Sequence, residues 1–181
     1  MKGVVFTEFL EMVEDTFSVE MADTIIDAAD LPSGGIYTSL GTYDHQEMLD
    51  LVSHLSRETD IPPPTLVHAF GRHLFRQFHA GHGHMLGDAT DTFSLLEGIE
   101  GHIHVEVRKL YAGAQLPRIR TERTAPDTLT LHYSSARPFA ALAHGLIVEC
   151  VAHFDEPIDV VMTDTSGGAG TAATFVLTRR T

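Results

Sequence analysis

The sequence predicts an α+β domain with two lobes, in which a helical N-terminal lobe is followed by a lobe built around a small antiparallel sheet. Apolar residues recur at helical spacing through the first half of the chain, and short β-type segments bounded by turns dominate the last third. A length of 181 residues suits one domain with a single sizeable core. We therefore expect a single domain over 1–181, with the helical lobe over 1–85 and the second lobe over 86–181.

Four helices are predicted in the first lobe. A break near Ser18 separates the first two, and a glycine-rich link, LPSGGIYTSLGTYD, separates the second from the third. Asp44 with Glu47 three residues later resembles a capping box, and the run IPPPT (61–65) ends the third helix and opens the fourth. The apolar stripes of the four helices are Phe6, Phe9, Leu10, Val13 and Phe17; Met21, Ile25, Ile26 and Ala29; Met48, Leu51, Val52 and Leu55; and Leu66, Val67, Phe70, Leu74, Phe75 and Phe78.

Three strands are predicted in the second lobe. Residues Thr128–Tyr133 (TLTLHY) alternate between apolar and polar, while Ile158–Met162 and Ala173–Thr178 are short branched runs, the last preceded by the turn TSGGAGT. Between the first two strands, apolar residues at roughly helical intervals over Arg137–Phe154 predict one helix packed on the sheet.

Composition argues against nucleic-acid binding, membrane association and sites built on several cysteines. The formal net charge of −13 repels phosphate backbones and anionic lipid head groups, which argues against nucleic acid and membrane surfaces as partners. Glu8 and Glu11 interrupt the apolar N-terminal stretch, and no later run approaches the roughly 20 apolar residues of a membrane span, so we expect a cytoplasmic protein. Cys150 is the only cysteine, which excludes an internal disulfide and a site built on several thiolates.

The run GHIHVEVRKLY (101–111) contains two histidines that two different structures would use differently. On a strand, His102 and His104 would share a face, whereas on a helix they would point about 200° apart. The β-branched residues in the run favour a strand, but the apolar period is continuous from Phe93 to Tyr111 and favours a helix. On that helix His104 lies on the buried face with Leu96, and His102 lies on the opposite side. The simplest interpretation of one inward histidine is a core residue bonded to a backbone carbonyl.

A second group of polar residues changes that interpretation. In LHYSSAR, an extended backbone would direct Tyr133, Ser135 and Arg137 to one side. A guanidinium and two hydroxyls are suited to paired carboxylates, although Ser135 alone would be equally consistent with a helix cap and Arg137 with a solvated side chain. We call Tyr133, Ser135 and Arg137 the carboxylate clamp. An inward histidine together with this clamp suits a haem, with iron on the imidazole and propionates on the clamp.

The same residues carry a resemblance to a known family. The stretch HVEVRKLY from His104, followed by GAQLPR, together with Tyr133-x-Ser135-x-Arg137, resembles the signature of the H-NOX (haem-nitric oxide/oxygen binding) family, which is related to the haem domain of soluble guanylate cyclase. The opening MKG and the segment GRHLFRQF (71–78) extend the likeness over nearly the whole chain. The resemblance implies a haem b between the lobes, with His104 as the iron ligand, the clamp on the propionates and Pro117 pressing on the macrocycle.

The resemblance also implies a function. It places Leu142 where oxygen-binding relatives carry a tyrosine, so bound dioxygen would lack a hydrogen-bond donor, whereas NO binds ferrous iron without one. The chain is thus expected to be a sensor of NO that also binds CO, and not an enzyme. NO would weaken the Fe–His104 bond, the lobes would rotate, and a separate histidine kinase or cyclic-di-GMP enzyme would receive the signal. The implied distal wall consists of Val5, Phe9, Phe78, Leu142 and Leu146.

Three alternatives remain open at this point. The segment HAGHGH supplies His79, His82 and His84, and three imidazoles can hold Zn, Ni or Cu. A haem carrier would use His104 and the clamp for delivery and would release haem readily. A helical adaptor would bind no haem at all.

Overall fold

Seven α-helices and one antiparallel sheet account for most of the chain in the computed structural model, which describes residues 1–83 and 87–180. The α+β class predicted from the sequence is confirmed. The helices are α1 Gly3–Thr16, α2 Val19–Ala28, α3 His45–Thr59, α4 Pro63–His82, α5 Thr92–Glu97, α6 His104–Leu110 and α7 Ala140–His153, with a π-helical turn over Ile99–Ile103. The strands are β1 Arg118–Ala125, β2 Thr128–Ser134, β3 Ile158–Asp164 and β4 Ala172–Arg179.

The sheet has four strands in the order β1-β2-β4-β3, and each neighbouring pair is antiparallel. The sequence predicted only three, because β1 (RIRTERTA) contains few apolar residues and lies at the edge of the sheet, where its side chains are mostly exposed or half-buried. β1 pairs Ile119 with Tyr133 of β2, and Tyr133 pairs in turn with Ala173 of β4. The strand that the sequence failed to predict, β1, therefore lies beside Tyr133, one of the residues predicted to form the site.

Helix boundaries in the first lobe follow local capping chemistry. Ser18 begins α2 by accepting a hydrogen bond from the Met21 amide at 3.1 Å, which confirms the predicted break. Asp44 caps α3, but it accepts from the Gln46 amide at 3.0 Å and forms no capping box with Glu47. Glu47 instead turns inward, is only 4% exposed, and accepts hydrogen bonds from the hydroxyls of Ser33 and Tyr37. The predicted capping box was wrong because Glu47 is used to order the glycine-rich link.

Buried residues form two apolar clusters, one in the helical lobe and one between α5, α7 and the sheet. Helix α7 contacts both, because Leu142 packs against the first cluster while Ile147 and Cys150 lie in the second. It crosses α4 closely enough that a Cβ on Gly145 would come within 2.0 Å of the His68 carbonyl oxygen. The two clusters are thus joined through the α4–α7 pair; the boundary expected at residues 85–86 includes positions outside the described residues.

This crossing makes Gly145 a sensitive position. Gly145→Ala is expected to lower the free energy of unfolding by about 1–3 kcal/mol, because the methyl group overlaps backbone that cannot move away cheaply. Gly81→Ala is the control: it adds the same group on α4 in open space, where alanine stabilises a helix by up to about 1 kcal/mol. Urea denaturation of the two variants measures the difference. Equal midpoints would show that the crossing is not tightly packed.

Candidate cofactor site

An apolar cavity of about 290 Å³ is lined by residues of both clusters. Side chains from α1, α4 and α7 and side chains from α5, α6, β1 and β2 all reach it. Its size is at the lower end of the range of about 300–1,000 Å³ that small-molecule sites occupy, and its polar groups are few, which is typical of a cofactor pocket.

His104 lines this cavity at the start of α6, directly after the π-helical turn. The residue is 8% exposed, and its Nδ1 lies 3.3 Å from Oε1 of Glu100, without the geometry of a full hydrogen bond. Burial lowers the pKa of His104, while Glu100 opposes that effect and Arg108 adds to it slightly. A neutral imidazole has a ring nitrogen lone pair free to coordinate a metal.

His102 is placed quite differently. It is exposed, does not line the cavity, and lies beside Gly87, where an added Cβ would come 3.0 Å from its Nε2. The run is helical, as expected, but it is not the single even helix that the apolar period suggested. The π-helical turn Ile99–Ile103 interrupts the period, and the apolar side chain of Leu110 near the end of α6 is 43% exposed.

Tyr133, Ser135 and Arg137 all line the cavity, although only Tyr133 lies on a strand, since β2 ends at Ser134. Ser135 does not cap α7; its hydroxyl accepts from the Arg137 amide at 3.0 Å. The Arg137 guanidinium donates to Oε1 of Gln115 at 2.7 Å and to the Gln115 carbonyl oxygen at 3.4 Å. Within 1–83 and 87–180, no carboxylate pairs with Arg137. An unmatched cation beside an apolar cavity suits a ligand that carries its own carboxylates.

The side chains of Ser135 and Arg137 affect the pKa of the Tyr133 phenol. Burial raises its pKa, whereas a hydrogen bond with Ser135 and the charge of Arg137 oppose that rise. The three side chains predicted from spacing are therefore close enough to act on one group.

Four of the five residues expected in the distal wall line the cavity. Val5, Phe78, Leu142 and Leu146 line the cavity, as do Leu96 and Pro117. Phe9 does not: it is fully buried in the helical cluster, where its ring meets that of Phe70 edge-on at 5.3 Å. Phe9 lies on the same face of α1 as its core neighbours, and the helical stripe alone could not separate core from pocket. The lining residues that the prediction omitted include Leu74, Phe75, Ile103, Gln115 and Ile147.

The histidine-rich segment HAGHGH is only partly described. The ring of His79 lies 4.3 Å from that of His153, whereas the side chain of His82 and all of His84 lie outside the described residues. No three His, Cys, Asp or Glu side chains in the described part of the chain are grouped to hold a metal ion. Cys150 lines the main cavity instead, and burial raises the pKa of its thiol to about 12.

The fold and the cavity define a class of protein that holds an apolar, carboxylate-bearing cofactor against one buried histidine. The family profile described as Haem-NO-binding matches residues 2–162. The chain belongs to this H-NOX family, whose members are haem-binding gas-sensor domains.

Solved structures agree over the whole chain. A mutant (A71G) of the Fe(II) unliganded H-NOX protein of K. algicida is 38% identical, with a TM-score of 0.93 and coverage of 100% of this chain and 97% of that one. The IWP-051-bound H-NOX of Shewanella woodyi in the Fe(II)CO state is 42% identical, with a TM-score of 0.82 and coverage of 99% and 95%. An S. oneidensis H-NOX protein in the Fe(II)NO state is 25% identical, with a TM-score of 0.91 and full coverage of both chains.

Two further findings concern curated proteins and membrane-spanning helices. No curated protein matches the sequence. None of the helices in the described parts of the chain is both long and apolar enough to cross a membrane.

The clamp can be tested by comparing two alanine variants. Arg137→Ala is expected to lower haem affinity by about 10- to 100-fold, because hydrogen bonds to charged groups contribute about 1.5–3 kcal/mol. Ser135→Ala should cost less than about tenfold, because it removes one hydroxyl and the turn it makes with the Arg137 amide. Haem titration of both apoproteins measures the difference. Equal affinities in the two variants would contradict the propionate role of Arg137.

Proposed function

We propose that this protein is a haem-based sensor of nitric oxide that passes its signal to a separate protein. The observation that carries the proposal is an apolar cavity lined by the buried His104 and by Leu142, the residue that the resemblance places where oxygen-binding relatives carry a tyrosine. Membership of the H-NOX family, and relatives solved with NO and with CO bound, support it.

The described residues fit a haem b. His104 would hold the iron, Arg137, Ser135 and Tyr133 would hold the propionates, and the apolar lining would exclude water from both faces. Pro117, between α6 and β1, would press on the macrocycle. The cofactor supplies one chemical property that the chain lacks, which is a ferrous centre with an open position for a diatomic gas.

The absence of a hydrogen-bond donor around Leu142 is expected to determine which gases bind. Val5, Phe78, Leu142 and Leu146 offer no hydrogen-bond donor, and a partly anionic dioxygen depends on such a donor more than NO or CO does. The sensor should therefore respond to NO, bind CO and discriminate against oxygen.

Signal output depends on where His104 sits in the fold. His104 begins α6 directly after the π-helical turn, so a change in its bond to a haem iron would act first on these two elements. Movement between the lobes must then pass through α4 and α7, the helices that join the two apolar clusters. NO binding thus biases a two-state element by differential affinity.

The receiver of the signal is proposed from the family, as a histidine kinase or a cyclic-di-GMP enzyme in the cytoplasm. The net charge of −13 makes nucleic acid and anionic membrane surfaces poor partners. On this proposal the chain itself performs no catalysis.

Haem transfer to excess apomyoglobin, followed by absorption spectroscopy, tests the proposal. We expect the haem-loaded protein to show a Soret band and to keep its haem through repeated exposure to NO. Rapid transfer before any NO is added would identify a haem carrier instead. Failure of the purified protein to acquire a Soret band from added haem would identify a haem-free adaptor.

A further inference from the structure

We propose that Glu100 is a positioning residue for His104 and sets how readily this histidine leaves the iron. The inference rests on the proposed function, because it assigns a role toward the haem ligand.

One carboxylate oxygen of Glu100 connects two elements of the site. Oε1 accepts a hydrogen bond from the Ile119 amide of β1 at 2.7 Å, and the same atom lies 3.3 Å from Nδ1 of His104. Ile119 follows Pro117 by two residues, and both line the cavity. Glu100 is therefore bonded to β1 and places its carboxylate beside His104.

Nδ1 of His104 is buried and makes no hydrogen bond with any of the described residues. The carboxylate of Glu100 is the acceptor that lies 3.3 Å from it. The other charged group that acts on this histidine is the Arg108 guanidinium, which cannot accept a proton from Nδ1. A small rotation of either side chain would convert the 3.3 Å contact into a hydrogen bond from Nδ1–H to Oε1.

The backbone between the two residues supports this arrangement. Glu100 lies within the π-helical turn Ile99–Ile103, and the amide of His104 donates to the carbonyl of Ile99, five residues earlier. Isolated π-helical turns are rare and occur frequently at functional sites. Here the turn presents the carboxylate to the histidine that immediately follows it.

The chemical consequence follows from how metal-bound histidines behave. A carboxylate that accepts from Nδ1–H fixes the tautomer, leaves Nε2 for the metal and makes the imidazole a stronger donor. A stronger Fe–His104 bond resists the weakening that NO causes. Glu100 would thus set the ease of the step on which signalling depends.

Glu100→Gln is the decisive variant, because glutamine keeps an acceptor for the Ile119 amide and removes only the charge. Glu106→Gln is the matched control: it removes a carboxylate from the same region, where Glu106 pairs with Lys109. Resonance Raman spectroscopy of the gas-free ferrous protein reads the Fe–His stretching frequency, and stopped-flow absorption reads the rate at which the Fe–His104 bond is lost after NO is added.

We expect Glu100→Gln to lower the stretching frequency and to speed loss of the Fe–His104 bond by about tenfold, in line with other outer-shell substitutions. Glu106→Gln should change neither. Glu100→Gln would also support the role if it lost its haem while Glu106→Gln kept it and the melting temperature of the apoprotein stayed unchanged. The loss could then not be attributed to unfolding, because glutamine retains the contact with the Ile119 amide.

If Glu100→Gln leaves both the Fe–His stretching frequency and the rate of Fe–His104 bond loss at their wild-type values, the inference is overturned and the proposed function is unaffected. An unmodified protein that shows no Fe–His band would overturn the proposed function itself. Glu100→Ala, which also removes the acceptor for the Ile119 amide, should additionally lower the melting temperature. That loss separates the structural contact from the effect on His104.

Discussion

His104→Gly is expected to lose its haem, or to hold it only when free imidazole is supplied to the cavity. The substitution removes the only histidine that lines the cavity among the described residues. On the proposed function, the remaining contacts would be apolar or would reach the propionates, and neither kind replaces a coordinate bond to iron. Absorption spectra of the reduced protein, recorded with and without imidazole, measure the loss and its rescue.

His102→Ala is the matched control, because it removes a histidine two positions away that is exposed and lies outside the cavity. Its spectrum should match that of the unmodified protein. If His102→Ala abolished haem binding while His104→Gly retained it without imidazole, the assignment of the ligand would be wrong.

Gas selectivity is the second large effect. The ferrous protein should bind NO and CO and form no long-lived oxygen complex, because Leu142 offers dioxygen no donor. Leu142→Tyr introduces a hydroxyl there, and a hydrogen bond to a charged acceptor contributes about 1.5–3 kcal/mol, which corresponds to about 10- to 100-fold in oxygen affinity. Oxygen titration of the reduced proteins measures this change.

Leu142→Phe supplies the control, since it adds a similar ring without the hydroxyl. It should not increase oxygen affinity. A long-lived oxygen complex in the unmodified protein would overturn the assignment as an NO sensor and favour oxygen sensing or storage.

Sequence reasoning was reliable where local chemistry decides the structure. Ser18 and the IPPPT run mark helix ends through capping and proline geometry, which act within a few residues. β1 escaped prediction because an edge strand of charged residues carries no apolar alternation. The π-helical turn escaped because a fixed helical period does not reveal a local change of pitch.

The candidate site shows the same division. His104 and the Tyr133-x-Ser135-x-Arg137 motif could be selected from facing and spacing, and the structure places all four around one cavity. Phe9 could not be separated from the core, because pocket and core residues share one helical stripe. The contacts of Gln115 with Arg137 and of Glu100 with Ile119 depend on the fold, since they join residues about 20 positions apart.

The visible spectrum of the reduced protein before and after addition of NO tests the central claim most directly. We expect a five-coordinate ferrous haem that becomes a five-coordinate NO complex, because on the proposed function NO breaks the bond between iron and His104. An NO complex that keeps His104 as a sixth ligand indefinitely, or a reduced protein that does not react with NO, would contradict the account.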